Sequence, residues 1–317
     1  MTPDQAKAIE PAHQRTGLKR PQPCKSASRR FSEFACIDWS GARGERQKGI
    51  ALAVVGAEGA PQLIERQGGW SRTAILDWLL DQARIGRDML IGVDFSASLP
   101  FFDSNAFFPG MAESPSDARA LWAWVDELCA ADAHFGVDSF VDHPELSRYF
   151  RRHGGRQGDL FDPAGNGRLR LVERLCRENG HGPSVSGFNL VGAAQVGKST
   201  LSGMRILSRL NGIVALWPFD PLPPAGPVLV ETYTTIAARR AGLKGGSKMR
   251  DAERLAIGLR GLGVAGVPRL ARYDDHSTDA ILTAAWLRIA AQDDGLWHPQ
   301  GMKADVIARE GWTFGVP

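Results

Sequence analysis

The sequence predicts an α/β fold, and three observations carry that expectation. Short apolar runs that end in a carboxylate or a glycine, such as "FACID", "GIALAVVG" and "MLIGVD", alternate with segments of helical spacing. The folded region opens in the order strand, strand, strand, helix, strand, as a sheet flanked by helices would. With 317 residues, 43% of them hydrophobic, the chain can bury a sizeable core.

Order is expected from Phe34. "FACID", "GIALAVVG" and "PQLIERQGG" read as consecutive strands joined by glycine-containing turns. "SRTAILDWLLDQARIG" reads as a helix, with Ile75, Leu76, Leu79 and Leu80 at helical spacing, Ser71 or Thr73 as cap and Gly86 as end. "MLIGVDFS" suits a buried strand. "SPSDARALWAWVDELCAADAHF" reads as a helix with Ser114 as cap and Pro115 at its first position. A polar stretch from His143 to Arg168 reads as loop, and "LRLVERLCREN" as a short helix. "GIVALWPFD" and "GPVLVETY" read as strands; "TTIAARRAG", "SKMRDAERLAIGLRGLG" and "HSTDAILTAAWLRIAAQD" read as helices.

Composition bounds the function. The net charge of +3 comes from the first 30 residues, which carry seven Lys or Arg against Asp4 and Glu10; the remainder has 31 basic and 33 acidic residues, a net of −2. That aperiodic basic tail, residues 1–30, is expected to be disordered, with residues 31–317 forming one domain. No apolar run approaches the roughly 20 residues of a membrane span, and the N-terminus has no apolar stretch of a secretory signal. Cys24, Cys36, Cys129 and Cys176 are widely spaced, so neither a zinc site nor a disulfide framework is indicated, and a cytoplasmic location is expected.

The chemistry lies in carboxylates at element ends. Asp38 closes "ACID", Asp94 closes "LIGVD", Glu231 ends "VLVE" and Asp279 lies near the start of the last helix. Ligands of α/β sheets bind at the carboxyl ends of strands. If the first and fourth strands are neighbours, Asp38 and Asp94 stand side by side, and like charges so placed call for a cation. Oxygen ligands select a hard ion, Mg²⁺ or Mn²⁺. Two such ions about 4 Å apart can clamp attacking water and leaving oxygen in phosphodiester hydrolysis. On the last helix, His276 and Asp279 (i, i+3) and Asp275 and Asp279 (i, i+4) share faces. Each acid taken singly is equally at home as a turn, cap or solvated residue; their order along the chain is the stronger signal.

That order resembles the ribonuclease H-like superfamily. "CIDWSGA", "GVDFSASLP", "GAAQVGKSTLSGM", "LWPFD", "VLVETY" and "DDHSTDA", in this sequence, resemble a bacterial family described as predicted RNase H-like nucleases (domain of unknown function 429), over roughly Phe34 to Ala291. The resemblance implies a mixed five-stranded sheet flanked by helices, with a long insertion, about residues 100–225, between strands four and five. It also implies a metal-dependent nuclease with Asp38, Asp94 and Asp279 as ligands, Glu231 as a further catalytic acid, and Asp275 or His276 as accessory positions. Many superfamily nucleases carry a Glu on the first helix, where this chain offers only Asp77 and Asp81.

Other classes remain open at this level. "GAAQVGKST", Gly192–Thr200, fits the P-loop pattern G-x-x-x-x-G-K-[ST]. Its entering strand is poor, and "GIVALWPFD" offers Asp220 as a Walker-B residue only beyond Pro218. "DWSGARG" is compatible with an actin-like phosphate loop, and a non-catalytic nucleic-acid or protein-binding module is the third alternative. Lys198, Ser199, Arg239 and Arg240 are candidates for contacting substrate phosphate, within basic clusters at Arg148, Arg151, Arg152 and Arg156 and from Arg239 to Arg250.

Overall fold

The computed structural model describes residues 30–152, 154, 156–162, 167–180, 184–191, 196–243 and 249–317. The expected tail, up to residue 29, lies outside them, but Arg30 is folded onto the body: Nε donates to the Pro223 carbonyl (2.5 Å) and Nη2 to that of Gly226 (2.7 Å).

A mixed sheet of six strands forms the centre, in the order β3-β2-β1-β4-β6-β5. They are β1 (Glu33–Asp38), β2 (Ala51–Gly56), β3 (Gln62–Leu63), β4 (Met89–Val93), β5 (Ala215–Trp217) and β6 (Val228–Glu231). The meander β1-β2-β3 is antiparallel; β4 lies parallel to β1, and β6 and β5 continue parallel beyond it. Six strands replace the expected five. The additional one is edge strand β5, placed by the five-stranded expectation inside the insertion. Its buried Leu216 and Trp217 pair with β6, and it stops before Pro218, which has no N–H for a ladder.

The helices are α1 (Arg72–Arg84), α2 (Ala118–Leu128), α3 (Asp138–Val141), α4 (Leu171–Glu178), α5 (Val196–Leu210), α6 (Thr234–Arg240), α7 (Ala252–Gly261), α8 (Asp275–Ala290), α9 (Asp294–Trp297) and α10 (Ala304–Arg309). Side chains alternate across the strands, so each face buries its own core. On one face Ala35, Ile37, Ile91 and Val93 pack with Leu79 of α1, Trp122 of α2 and Met204 of α5; on the other Phe34, Cys36, Leu90 and Val230 pack with Ile281 and Leu287 of α8 and Ile236 of α6. Burial on both faces is why β1 and β4 read as continuous apolar runs.

The chain between β4 and β5 is no appendage. Its Phe107, Phe108, Phe140, Phe150 and Phe188 join the first of these cores. Ser71 caps α1, accepting from the Ala74 amide at 3.1 Å. Ser114 does not cap α2: it accepts from the Phe108 amide, and Asp117 caps the helix from three residues further on. Asp274, not Asp279, caps α8, accepting from the Ser277 amide at 2.9 Å. No helix among the described residues is long and apolar enough to cross a membrane.

Candidate functional site

Adjacent parallel strands set two of the acids side by side. Ile37 of β1 pairs with Val93 of β4, and the Asp94 amide donates to the Ile37 carbonyl at 3.0 Å. Asp38 and Asp94 therefore leave the sheet together at its carboxyl edge, Asp38 buried and Asp94 half-buried. Helix α8 packs across β1, β2 and β4 and carries His276 and Asp279 to that edge. His276 Nδ1 lies 3.1 Å from Asp38 Oδ2. Thr234, which opens α6, places Oγ1 3.3 Å from Asp94 Oδ2.

The three carboxylates act on one another through their charges. Burial holds the Asp94 carboxyl well above its usual range, and the charges of Asp38 and Asp279 push it further. Burial also raises Asp38, against the hydrogen bond from His276, which favours its ionised form. The imidazole is raised in turn, first by its hydrogen bond to Asp38. Beneath them the Cys36 thiol is buried and held high by burial and then by Asp94, Asp38 and Asp279. Among the described residues neither Asp38 nor Asp94 is paired with an Arg or Lys.

The donor chemistry suits a hard divalent cation: carboxylate oxygens, one imidazole and one hydroxyl. The spacing is more open than a finished metal site. Among the described residues no group of three or more His, Cys, Asp or Glu side chains stands close enough to hold an ion.

Two expected members stand elsewhere. Glu231 is 3% exposed, and its carboxylate accepts four hydrogen bonds, the number its lone pairs allow. They come from Arg170 Nη1 (2.9 Å) and Nη2 (2.5 Å), the Ala97 amide (2.6 Å) and the Thr313 hydroxyl. Glu231, expected as a further catalytic acid, thus has its oxygens engaged within the fold. Asp275 forms a two-point ion pair with Arg250, at 3.0 and 2.8 Å, and 63% of the Arg250 side chain is exposed.

The loop after β1 is held by a residue that sequence reading passed over. Arg72, 2% exposed at the start of α1, donates to the carbonyls of Ser40, Ala42, His134 and Phe135. Burial, with the nearby Arg205 charge, lowers its pKa to about 10. A charged group at the first turn of a helix looks solvated in sequence; only the carbonyls gathered from two distant loops show its role.

The same loop meets the start of α5. A Cβ on Gly41 would lie 2.4 Å from the Ser199 amide nitrogen, so glycine is required for this approach. Lys198 is largely buried and its Nζ lies 3.4 Å from Asp138 Oδ1. Ser199 is half-buried beside the loop. Residues 192–195 lie outside the described residues, and the nearest described residues upstream form only an isolated bridge, Arg151 with Asn189. Asp220, the Walker-B candidate, is tied to Arg119 (2.7 Å) and the Leu216 amide (3.0 Å). Arg239 and Arg240 lie in the last turn of α6, about 8 Å along its axis from Thr234. Lys244 and Lys248, from the same basic cluster, lie outside the described residues.

Fold and site together define an α/β protein with a carboxylate-lined sheet edge. No family model, curated protein or solved structure matches the chain.

Proposed function

We propose that this is a divalent-cation-dependent phosphodiesterase acting on nucleic acid, with a ribonuclease H-like core. The observation that carries the reading is the side-by-side exit of Asp38 and Asp94 from the paired strands β1 and β4, with α8 bringing His276 to 3.1 Å from Asp38; burial and then the charges of Asp38 and Asp279 hold the Asp94 carboxyl high. Such mutual repulsion is unfavourable in a protein with nothing to bind there, and a cation relieves it. The order β1-β2-β3-α1-β4, with acids closing β1 and β4 and a third on α8, supports the resemblance noted in the sequence.

Asp38, Asp94 and Asp279 would hold Mg²⁺ or Mn²⁺, which would supply positive charge to the phosphoryl oxygens and lower the pKa of water. His276 fixes the orientation of Asp38 through its 3.1 Å contact and can carry a proton at Nε2. Thr234 orients Asp94. Arg72 holds the Ser40–Ala42 loop that flanks the site, which limits loop movement during turnover.

The test is cleavage of single-stranded, duplex and branched DNA and RNA in Mn²⁺. Activity that disappears in Asp38→Asn and Asp279→Asn is expected. Activity left unchanged by both substitutions would remove the site assignment.

A further inference from the structure

Beside the carboxylate edge lies a cavity of about 390 Å³, within the range that encloses a small ligand, about 300–1,000 Å³. Its lining includes Arg43, Arg152, Arg156 and Lys198, with Asp142 as its acid. These cations come from three separate segments: the loop after β1, the irregular chain after Phe150, and the first turn of α5. Exposed arginines scattered by chance would not converge on one concavity that also contains a largely buried lysine.

Arg43, Lys198 and Arg152 are held in ways that favour exchange. Arg43 (2.9 Å) and Lys198 (3.4 Å) share the single carboxylate of Asp138, and Arg152 lies 3.0 Å from Asp142. The two acids are 40% and 53% exposed, and pairs so open to water are weak. A phosphate accepts two-point hydrogen bonds from arginine and replaces those contacts with stronger ones. Arg152 Nε is buried with no hydrogen-bond partner among the described residues. The start of α5 adds its partial positive charge.

We propose that this cavity is a phosphate subsite for the nucleic-acid strand, holding a backbone phosphate that flanks the scissile one. The inference rests on reading the carboxylate edge as a phosphodiesterase site. The register follows from the chain: Gly41, on the cavity wall, is three residues beyond Asp38, a reach of at most about 10 Å. A neighbouring phosphate of the same strand falls within that reach. The contact of Gly41 with the start of α5 keeps cavity and carboxylates in fixed relation.

The experiment uses Asp38→Asn protein in EDTA, so that binding is read without cleavage. A labelled twelve-nucleotide single strand is titrated by fluorescence anisotropy over a range of salt, with ATP and inorganic phosphate as competitors. Arg43→Ala, tolerated because 72% of the Arg43 side chain is exposed, is expected to weaken binding about five- to tenfold. It should also lower the slope of log affinity against log salt by about 1. Adding Arg152→Gln lowers both further, while Arg84→Ala, at an exposed pair on α1, changes neither. An Arg43→Ala/Arg152→Gln protein that binds with unchanged affinity and slope overturns the subsite. ATP competing at far lower concentration than the oligonucleotide overturns it in favour of a mononucleotide pocket. The two readings separate with the Asp38 protein in Mn²⁺. Cleavage that needs Asp38 but ignores the double substitution removes the subsite and leaves the nuclease. Binding that needs Arg43 and Arg152, without cleavage in any divalent cation, supports the subsite and removes the nuclease.

Discussion

At the end of β6, Glu231 meets Arg170, and beside them in the fold Glu173 and Glu310 are as deeply buried. Arg170 bonds both Glu231 and Glu173, at 2.5 and 2.9 Å, while Glu310 accepts from the amides of Phe101, Phe102 and Leu171. Burial alone would lower the Arg170 pKa, but the Glu231 and Glu173 carboxylates hold it well above its usual value. One and two strands over, Asp94 and Asp38 have a hydroxyl and an imidazole as side-chain partners; burial raises their carboxyls as it raises Glu173, but no guanidinium opposes it, and at Asp94 the neighbouring Asp38 and Asp279 charges add to it. Both clusters are strand-end acids withdrawn from water. In the first, donors match acceptors and the charges serve cohesion. In the second the match is left incomplete, which is how a fold keeps acids available to a ligand.

The sharpest way to break this contrast is to remove the guanidinium from the matched cluster. Arg170→Ala leaves Glu231 and Glu173 buried without their partner and is expected to cost about 3–5 kcal/mol, read from urea unfolding. A loss under 1 kcal/mol would mean the cluster is not a closed network.

In the unmatched cluster the sign reverses. Asp94→Asn removes a disfavoured charge, so in EDTA at neutral pH it is expected to stabilise the protein by about 1–2 kcal/mol, about 2–4 °C of Tm per kcal/mol. The pH dependence follows from the same raised values. A carboxyl whose folded pKa exceeds its unfolded one contributes stability fully below the unfolded value, near 3.9, and loses it as pH rises through the folded value. The advantage of Asp94→Asn over the parent should therefore be absent near pH 3 and grow toward neutrality. An advantage that shrinks as pH rises would contradict the raised Asp94 carboxyl.

The smallest effect belongs to a third kind of acid, the surface one. Arg250→Ala breaks the ion pair with Asp275 and should change stability by less than about 1 kcal/mol, with the remainder vanishing in high salt. A larger loss would place Asp275 in a tighter network than its exposure indicates.

The contrast also explains what the sequence revealed. Asp38 and Asp94 were legible because each ends an apolar run, a local pattern that parallel pairing converts into proximity. His276 and Asp279 were legible because helical spacing puts them on one face. Glu231 carries the same local signature as Asp94, and donors far away in the chain, Arg170 (61 residues earlier), Ala97 and Thr313, hold it in the interior. Arg170 sits at the cap of a short helix and Arg72 at the start of another, positions that normally face water. Long-range charge matching leaves no periodic trace. For the same reason β5 was legible as a strand but not as part of the sheet: three residues ending at a proline do not announce their neighbour.

The central claim is that the carboxylates at the ends of β1 and β4 form a cation site while the one at the end of β6 does not. Calorimetric titration of Mn²⁺ into the metal-free protein at pH 7.5 tests it directly. Binding that is lost in Asp38→Asn and Asp94→Asn and kept in folded Glu231→Gln is the expected result. No binding, or binding indifferent to Asp38→Asn and Asp94→Asn, contradicts it.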